Sequence, residues 1–397
     1  MFKNFSLRIT NYALSIKKYS IRIEKILLIL LALSVCISEP LSRNIIRVVF
    51  FMFAIKFFIS NNAAMELIKR YKMFLLTISA FAWWMIISSI YGGHLVSDSD
   101  SNVYWFFFSH NMILFIPLIM MIRRQKNSDK LLITTAISLL IDDAFITFQL
   151  VTGIYNPTTF LNDSPFQSSI LYVILLPTFL ILTLSVEDFK KQIFYCITFF
   201  ISLGTFLYLY TTYAQIVVAI TLALVLIERL RACEKFLIGT IAAVIFVIMF
   251  QGALKYVPDF EIINVYDVFK GRDIVWENTF EIAVENPIMG VGLGNYKKIY
   301  DERFIDETPN LKITHAYNSY LQFWSETGIL GLILFCVIFG SILIWSKKRA
   351  GNLYGRILFF ATLALMLYST TDFIFESYSA MRLYWVLFGI CVASLDR

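Results

Sequence analysis

The sequence predicts an all-α polytopic membrane protein with about twelve transmembrane helices. Three observations point to it. Hydrophobic residues make up 58% of the 397-residue chain and charged residues only 16%, against roughly 45–50% apolar and about 25% charged in soluble domains. The charges lie in short islands between apolar runs of roughly 15–22 residues, about what a helix needs to cross hydrocarbon about 30 Å thick. Backbone amides in lipid must bond within their own segment, and the strict alternation of a membrane barrel is absent.

In chain order, an arm over residues 1–23 carries Lys3, Arg8, Lys17, Lys18 and Arg22 and reads as a basic interfacial segment. It is too polar for a cleaved secretory signal. Spans are expected near 24–38, 45–60, 73–91, 104–122, 131–151, 167–185, 192–210, 214–227 and 236–250, filling 24–250. A loop over 251–317 follows, and spans near 318–345, 357–374 and 379–394 complete 318–397. Cations gather in the arm and in "ELIKRYK", "RRQKNSDK", "EDFKK", "ERLRACEK" and "SKKRAGNLYGR". The positive-inside rule puts that side in the cytoplasm, with both termini, and the loops 92–103, 152–166 and 251–317 outside. The net charge of +6 then faces anionic lipid, and nucleic acid is not an expected partner. The five cysteines have no metal-ligand spacing and no plausible external disulfide partner.

The loop over 251–317 is the one long external segment, and long loops usually carry function. Asp273, then Trp276, Phe280, Ala283 and Val284 at helical spacing, then "NP" predict a surface helix of about four turns. Pro287, Gly290, Gly292 and Gly294 end it in a turn-rich linker. These glycines lack the strand and βαβ setting of a dinucleotide site. Arg272 opens the helix, where unpaired amides attract anions; the alternative is a solvated surface arginine.

Further on, Thr314 is expected to cap the tenth span and place His315 in its first turn. His315, Asn318, Gln322 and Glu326, separated by three, four and four residues, would then form one polar stripe on one helix face. Such a stripe is costly in lipid unless it faces a bundle interior or a wet cavity. The alternative is an interfacial histidine bonded to water above a few satisfied buried amides.

Two motifs carry a resemblance. Gly271, Arg272, Trp276, Pro287, Gly290, Gly292, Asn295 and Tyr296 form one; His315, Asn318, Tyr320, Leu321, Glu326, Gly328 and Gly331 form the other. Together, over about 271–332, they resemble the O-antigen ligase and polymerase family of bacterial envelope glycosyltransferases. The resemblance implies a fold of GT-C type with the large periplasmic loop between spans nine and ten. It also implies a metal-independent, cofactor-free transferase in the inner membrane, whose donor is a glycan on undecaprenyl diphosphate. A ligase passes the polymer to a sugar hydroxyl of lipid A-core; a polymerase passes the growing chain to another lipid-linked repeat unit. By position, Arg272 would hold the diphosphate and His315 would sit at the reacting centre.

These roles suit the chemistry. Planar arginine donors match phosphate oxygens, and a histidine titrating near neutrality can take a hydroxyl proton or, protonated, stabilise the diphosphate. Asn318, Arg303, Lys312 and Arg382 are the candidates for binding substrate, with Lys270 adding to the field. The family's further arginine between spans seven and eight is missing from "YTTYAQ", Tyr210–Gln215; Arg382, Arg43 and Arg47 are candidate substitutes. Asp142 and Asp143 in the fifth span are either a relay or counterions, or they mark a kink or neutralise Arg47. Asp372 could orient His315 or pair with Arg382. His94 and His110 are expected to be structural. A transporter or flippase would need related halves, and no internal repeat is visible.

Overall fold

The computed structural model describes residues 2–59, 62–92, 112, 115–152, 165–209, 212–230, 271–304 and 313–396. These form helices joined by short links, with no strand among them. Helix α1 is Phe2–Ile37, α2 Glu39–Ile59, α3 Asn62–Arg70, α4 Lys72–Tyr91 and α5 Phe115–Gln125. Next come α6 Ser128–Val151, α7 Pro165–Ser185, α8 Phe189–Leu209 and α9 Thr212–Leu230. After 271 follow α10 Arg272–Glu285, α11 Tyr296–Phe304, α12 Ser319–Lys347, α13 Leu353–Tyr368, a 3₁₀ turn Ile374–Glu376 and α14 Tyr378–Leu395.

Five described helices are long and apolar enough to cross a membrane: Lys72–Tyr91, Ser128–Gln149, Phe189–Tyr208, Ser319–Lys347 and Tyr378–Leu395. Ser169–Ser185 and Leu353–Tyr368 are shorter apolar helices. The chain is therefore a helical membrane protein. The expected ninth span, 236–250, and most of the fourth lie outside the described residues, as do Lys270, Lys312, Cys233, His94 and His110. Helix α1 runs unbroken through the basic arm, and α2 passes Arg47 and Lys56 without interruption.

Helix α14 is the centre of the bundle. Every side chain from Ser379 to Ala393 is buried, including Trp385, Tyr384 and Arg382. Lipid tails are as apolar as these side chains, so close packing and hydrogen bonds hold the bundle together rather than exclusion of water. Neighbouring helices supply that packing: α5 lies along α14, α1 along α6, and α7 along both α8 and α13. Asp142 and Asp143 are fully buried here. Asp143 accepts from the hydroxyls of Tyr172 (2.7 Å) and Ser202 (2.5 Å), so these hydroxyls, from α7 and α8, satisfy its oxygens inside the bundle.

Ion pairs join the cationic segments at one end of the bundle. Asp396 holds Arg70 (2.9 Å) and Arg123, and Arg124 reaches Glu24 in the continuation of the basic arm. Lys191 meets Asp129 (3.6 Å), and Arg356 meets Glu228 (3.4 Å). The links between α12 and α13, between α13 and α14, and around α10 alternate between this end and the other. Hence the turn after α13, the start of α12 and α10 gather at the opposite end.

The tenth span starts differently from expectation. Asn318, with extended backbone, is the cap, its Oδ1 accepting from the amides of Tyr320 (2.9 Å) and Leu321 (3.1 Å). Thr314 and His315 thus precede the helix, because an asparagine that satisfies two free amides is the stronger start signal. The eleventh span also ends early, at Tyr368, leaving Asp372 in the turn beyond it.

Candidate functional site

The glycine-rich linker explains why α12 is broken. Gly328 has φ 68 and ψ −176 inside the helix, which frees carbonyls and an amide that hydrocarbon cannot satisfy. The linker takes them up. Val291 N donates to Ser325 O (2.8 Å), Gly292 N to Glu326 O (2.9 Å), and Ile329 N to Pro287 O (2.8 Å). From α4, Trp84 Nε1 donates to Thr327 O (2.8 Å) and Ser88 Oγ to Glu326 O (3.0 Å). The Glu326 carboxylate accepts from the amides of Gly294 (3.1 Å) and Tyr296 (3.3 Å), at the start of α11.

Backbone meets backbone so closely that side chains are excluded. A Cβ on Gly328 would lie 1.9 Å from Ile288 O, and one on Gly290 2.3 Å from Glu326 C; both have φ of 68. Gly328→Ala or Gly290→Ala is expected to lose more than the roughly 1–3 kcal/mol of a strained backbone alone. Either should lower the melting temperature of the purified protein by several degrees or abolish its recovery. An unchanged melting temperature would contradict this docking.

The expected polar stripe is therefore divided between several tasks. Glu326 holds the linker, Gln322 Oε1 accepts from Ala316 N (2.7 Å), and Asn318 caps its helix while its Nδ2 donates to Thr370 O (3.1 Å). These bonds use polar side chains to fix backbone, and the segment 313–318 is fixed with them. Ser319 continues the clamp, with its amide on Ser369 O (2.8 Å) and its hydroxyl on Asp372 O (2.7 Å).

Helix α10 begins at Gly271, whose φ of 95 turns the chain into it. It buries Val275, Asn278, Thr279, Ile282 and Ala283, whereas Phe280 and Val284 are half exposed. The expected apolar face is thus rotated. Polar Thr279 faces inward because its hydroxyl meets Tyr296 OH (2.7 Å), and Asn278 because its amide reaches Tyr300 OH (3.3 Å). Burial raises the Tyr296 phenol far above its ordinary range, so it stays neutral.

Arg272 and Trp276 lie one turn apart and act on the same loop. Trp276 Nε1 donates to Tyr317 O (3.2 Å). The Arg272 guanidinium lies 4.8 Å from the centre of the Tyr317 ring and 4.5 Å from that of Tyr213, and donates to Thr371 O. Tyr317 itself has φ 48, a left-handed conformation costing on the order of 1–2 kcal/mol. The indole bond and the cation–π contact offset that cost. Tyr213 comes from the "YTTYAQ" junction, so this junction brings an aromatic ring to Arg272 where a cation was expected.

His315 is nearly buried and packs against the ring of Tyr317, 4.5 Å between centroids. Its Nε2 lies 3.2 Å from Asp372 Oδ1, and its Nδ1 2.8 Å from Thr314 Oγ1. Asp372 also accepts from Tyr368 OH at Oδ2 (2.9 Å) and from Phe373 N at Oδ1 (2.8 Å). Burial opposes its charge, but the hydrogen bond and charge of His315, the charge of Arg272 and the Tyr368 bond outweigh burial and hold the carboxyl below its ordinary range. The Asp372 carboxylate thus faces Nε2 of the imidazole, and the Thr314 hydroxyl faces Nδ1.

Arg272, His315 and Asp372 thus meet at one place, with Tyr213, Tyr317 and Thr314 around them. The other predicted residues lie elsewhere. Arg303 pairs with Glu281 (2.8 Å) and Glu285, binding α11 to α10. Arg382 is buried in α14 and donates to Ser42 Oγ on α2 (2.6 Å). Arg47 is exposed on α2 and donates to Asn44 Oδ1 (3.3 Å). Sequence reasoning gave no role to Tyr213, Tyr317 or Tyr368; only the oddity of the "YTTYAQ" junction pointed toward the first.

Fold and site together define a helical membrane protein with a cationic and imidazole centre at one end of its bundle. Residues 197–336 match the family model described as O-antigen ligase, and the motifs over 271–332 that carry the resemblance fall wholly inside that match. The match supports a function of the O-antigen ligase or polymerase type in general terms. A search of curated proteins found no match.

Proposed function

We propose that the chain is an O-antigen ligase. It transfers a polysaccharide from undecaprenyl diphosphate to a sugar hydroxyl of lipid A-core at the periplasmic face of the inner membrane, without metal or cofactor. The layout behind this reading is twelve spans of GT-C type, with the cationic end in the cytoplasm and the segment 251–317 in the periplasm. The observation that carries it is the meeting of Arg272, His315 and Asp372 at the end of the bundle opposite the ion-paired cations.

In this mechanism the donor diphosphate lies against Arg272, whose planar donors take up charge as the anomeric bond breaks. The acceptor hydroxyl approaches His315 at Nδ1, in place of or through the hydroxyl of Thr314. The imidazole takes its proton, and Asp372 stabilises the imidazolium that results. Asn318 and the 369–374 turn hold the loop in register. Arg303 and Arg382 act through the packing described above.

The alternative is a polymerase joining lipid-linked repeat units. Tyr213 favours it to a degree, because it stands at the junction where the resemblance implies a further arginine. Lipopolysaccharide gels of a deletion strain, complemented with the chain or its variants at matched expression, separate the two. Restored polymer on lipid A-core is the expected result, with lipid-linked polymer accumulating in the deletion. Core carrying a single repeat unit in the deletion would instead identify a polymerase.

A further inference from the structure

A cavity of about 250 Å³ opens between the start of α4 and the ends of α12 and α14, at the ion-paired end and away from His315. Phe74, Ile342, Phe388 and Val392 line it, with Tyr71 and Trp345 toward the cationic end. Its hydroxyls are already spent within the protein. Thr77 Oγ1 donates to Met73 O (3.1 Å), Ser341 Oγ to Ile338 O (2.7 Å), and Tyr71 OH to Asp396. The walls thus offer an occupant mostly apolar surface, which suits a hydrocarbon chain.

The rim has the opposite character. Arg349 lies with its guanidinium 4.1 Å from the centre of the Trp345 ring, directly over a wall of the cavity. Lys72, Lys347 and Lys348 are exposed beside the lining residues Tyr71, Met73 and Trp345. The acid bonded to this rim, Asp396, is only 5% exposed in its side chain and already holds Arg70 and Arg123. A cluster of cations next to an apolar slot between helices is the arrangement that anionic lipid headgroups select.

We propose that this groove binds one anionic glycerophospholipid of the surrounding leaflet. An acyl chain lies between Phe74, Ile342 and Phe388, and the phosphate meets Arg349, Lys348 and Lys72. Met73, 76% exposed at the mouth, covers the chain on the lipid side. The site is independent of glycan transfer and stands whether or not that reading does.

The test is native mass spectrometry of the full chain, purified and delipidated in mild detergent, titrated with phosphatidylglycerol and with phosphatidylcholine of the same acyl chains. We expect one tight phosphatidylglycerol, bound at least about tenfold better than phosphatidylcholine. Filling the slot with Thr77→Trp should remove that site for both lipids. Reversing the exposed rim with Lys348→Glu and Arg349→Glu, which should leave folding intact, should remove the preference but keep a weak, equal affinity. Equal affinities in the unaltered chain would overturn the proposal, as would a charge-reversed rim that keeps the preference. Displacement of the bound phosphatidylglycerol by equimolar undecaprenyl phosphate would overturn it too, in favour of a carrier lipid.

Discussion

Arg272→Lys is expected to lower glycan transfer by about 10²–10³-fold, the usual effect of losing a preorganised charge donor, although it keeps the positive charge. The reason lies in the aromatic clamp. A guanidinium is planar and weakly hydrated, so it lies against the Tyr213 and Tyr317 rings while its edge donates to Thr371 O, with further donors free for the phosphate of the proposed mechanism. A lysine ammonium is a strongly hydrated point charge without that shape. Tyr213→Phe keeps the ring and should transfer nearly as well as the unaltered protein. Tyr213→Ala should cost about 5–30-fold, the worth of one desolvated cation–π contact. Initial rates with lipid-linked donor, varied at saturating acceptor, measure this. An Arg272→Lys enzyme with the unaltered kcat would remove Arg272 from the diphosphate.

His315→Ala should cost about 10²–10⁴-fold in transfer by the folded protein, the range for a positioned general base, and should lower the melting temperature as well, because it removes the partner of Asp372. Asp372→Asn keeps the shape of its partner but removes the charge that favours the imidazolium, so its loss should fall mainly on kcat. Asp372 also gives the pH dependence a sign. Its folded carboxyl is held below the ordinary carboxylate range. The pair therefore contributes stability that is complete at pH values above that range. The contribution is lost as pH falls through the range toward the lowered value. Acid should thus lower the melting temperature of the unaltered protein more steeply than that of Asp372→Asn, which lacks this titration. Identical acid profiles for the two proteins would exclude the pairing.

Much of the site could be read locally. Gly271, Arg272 and Trp276 follow helical spacing, and Arg272 and Trp276 both reach Tyr317 because residues four apart share a helix face. The helix over 272–285, its stop at "NP" and the place of the tenth span are legible for the same reason: caps, prolines and period act within a few residues. The rotated face of α10 was not legible. Thr279 and Asn278 look like surface residues until Tyr296 and Tyr300 fold back over them. Likewise the glycines after Pro287 read as a turn-rich linker, but not what they pack against: the backbone of the other motif at Gly290 and Gly328, and that of Gly92 at Gly292.

The sequence by itself determined that this protein lives in a membrane as helices, which end of the bundle gathers its cations, and which segments carry the two motifs. Composition and period decide these, because hydrocarbon leaves a backbone so few choices. Only the tertiary structure decided that Asp372 stands at His315, that Tyr213 stacks on Arg272, and that Arg303 and Arg382 are taken up in packing. Those partners come from distant segments, and which of several equally polar residues meet depends on how the helices pack rather than on any spacing within one of them.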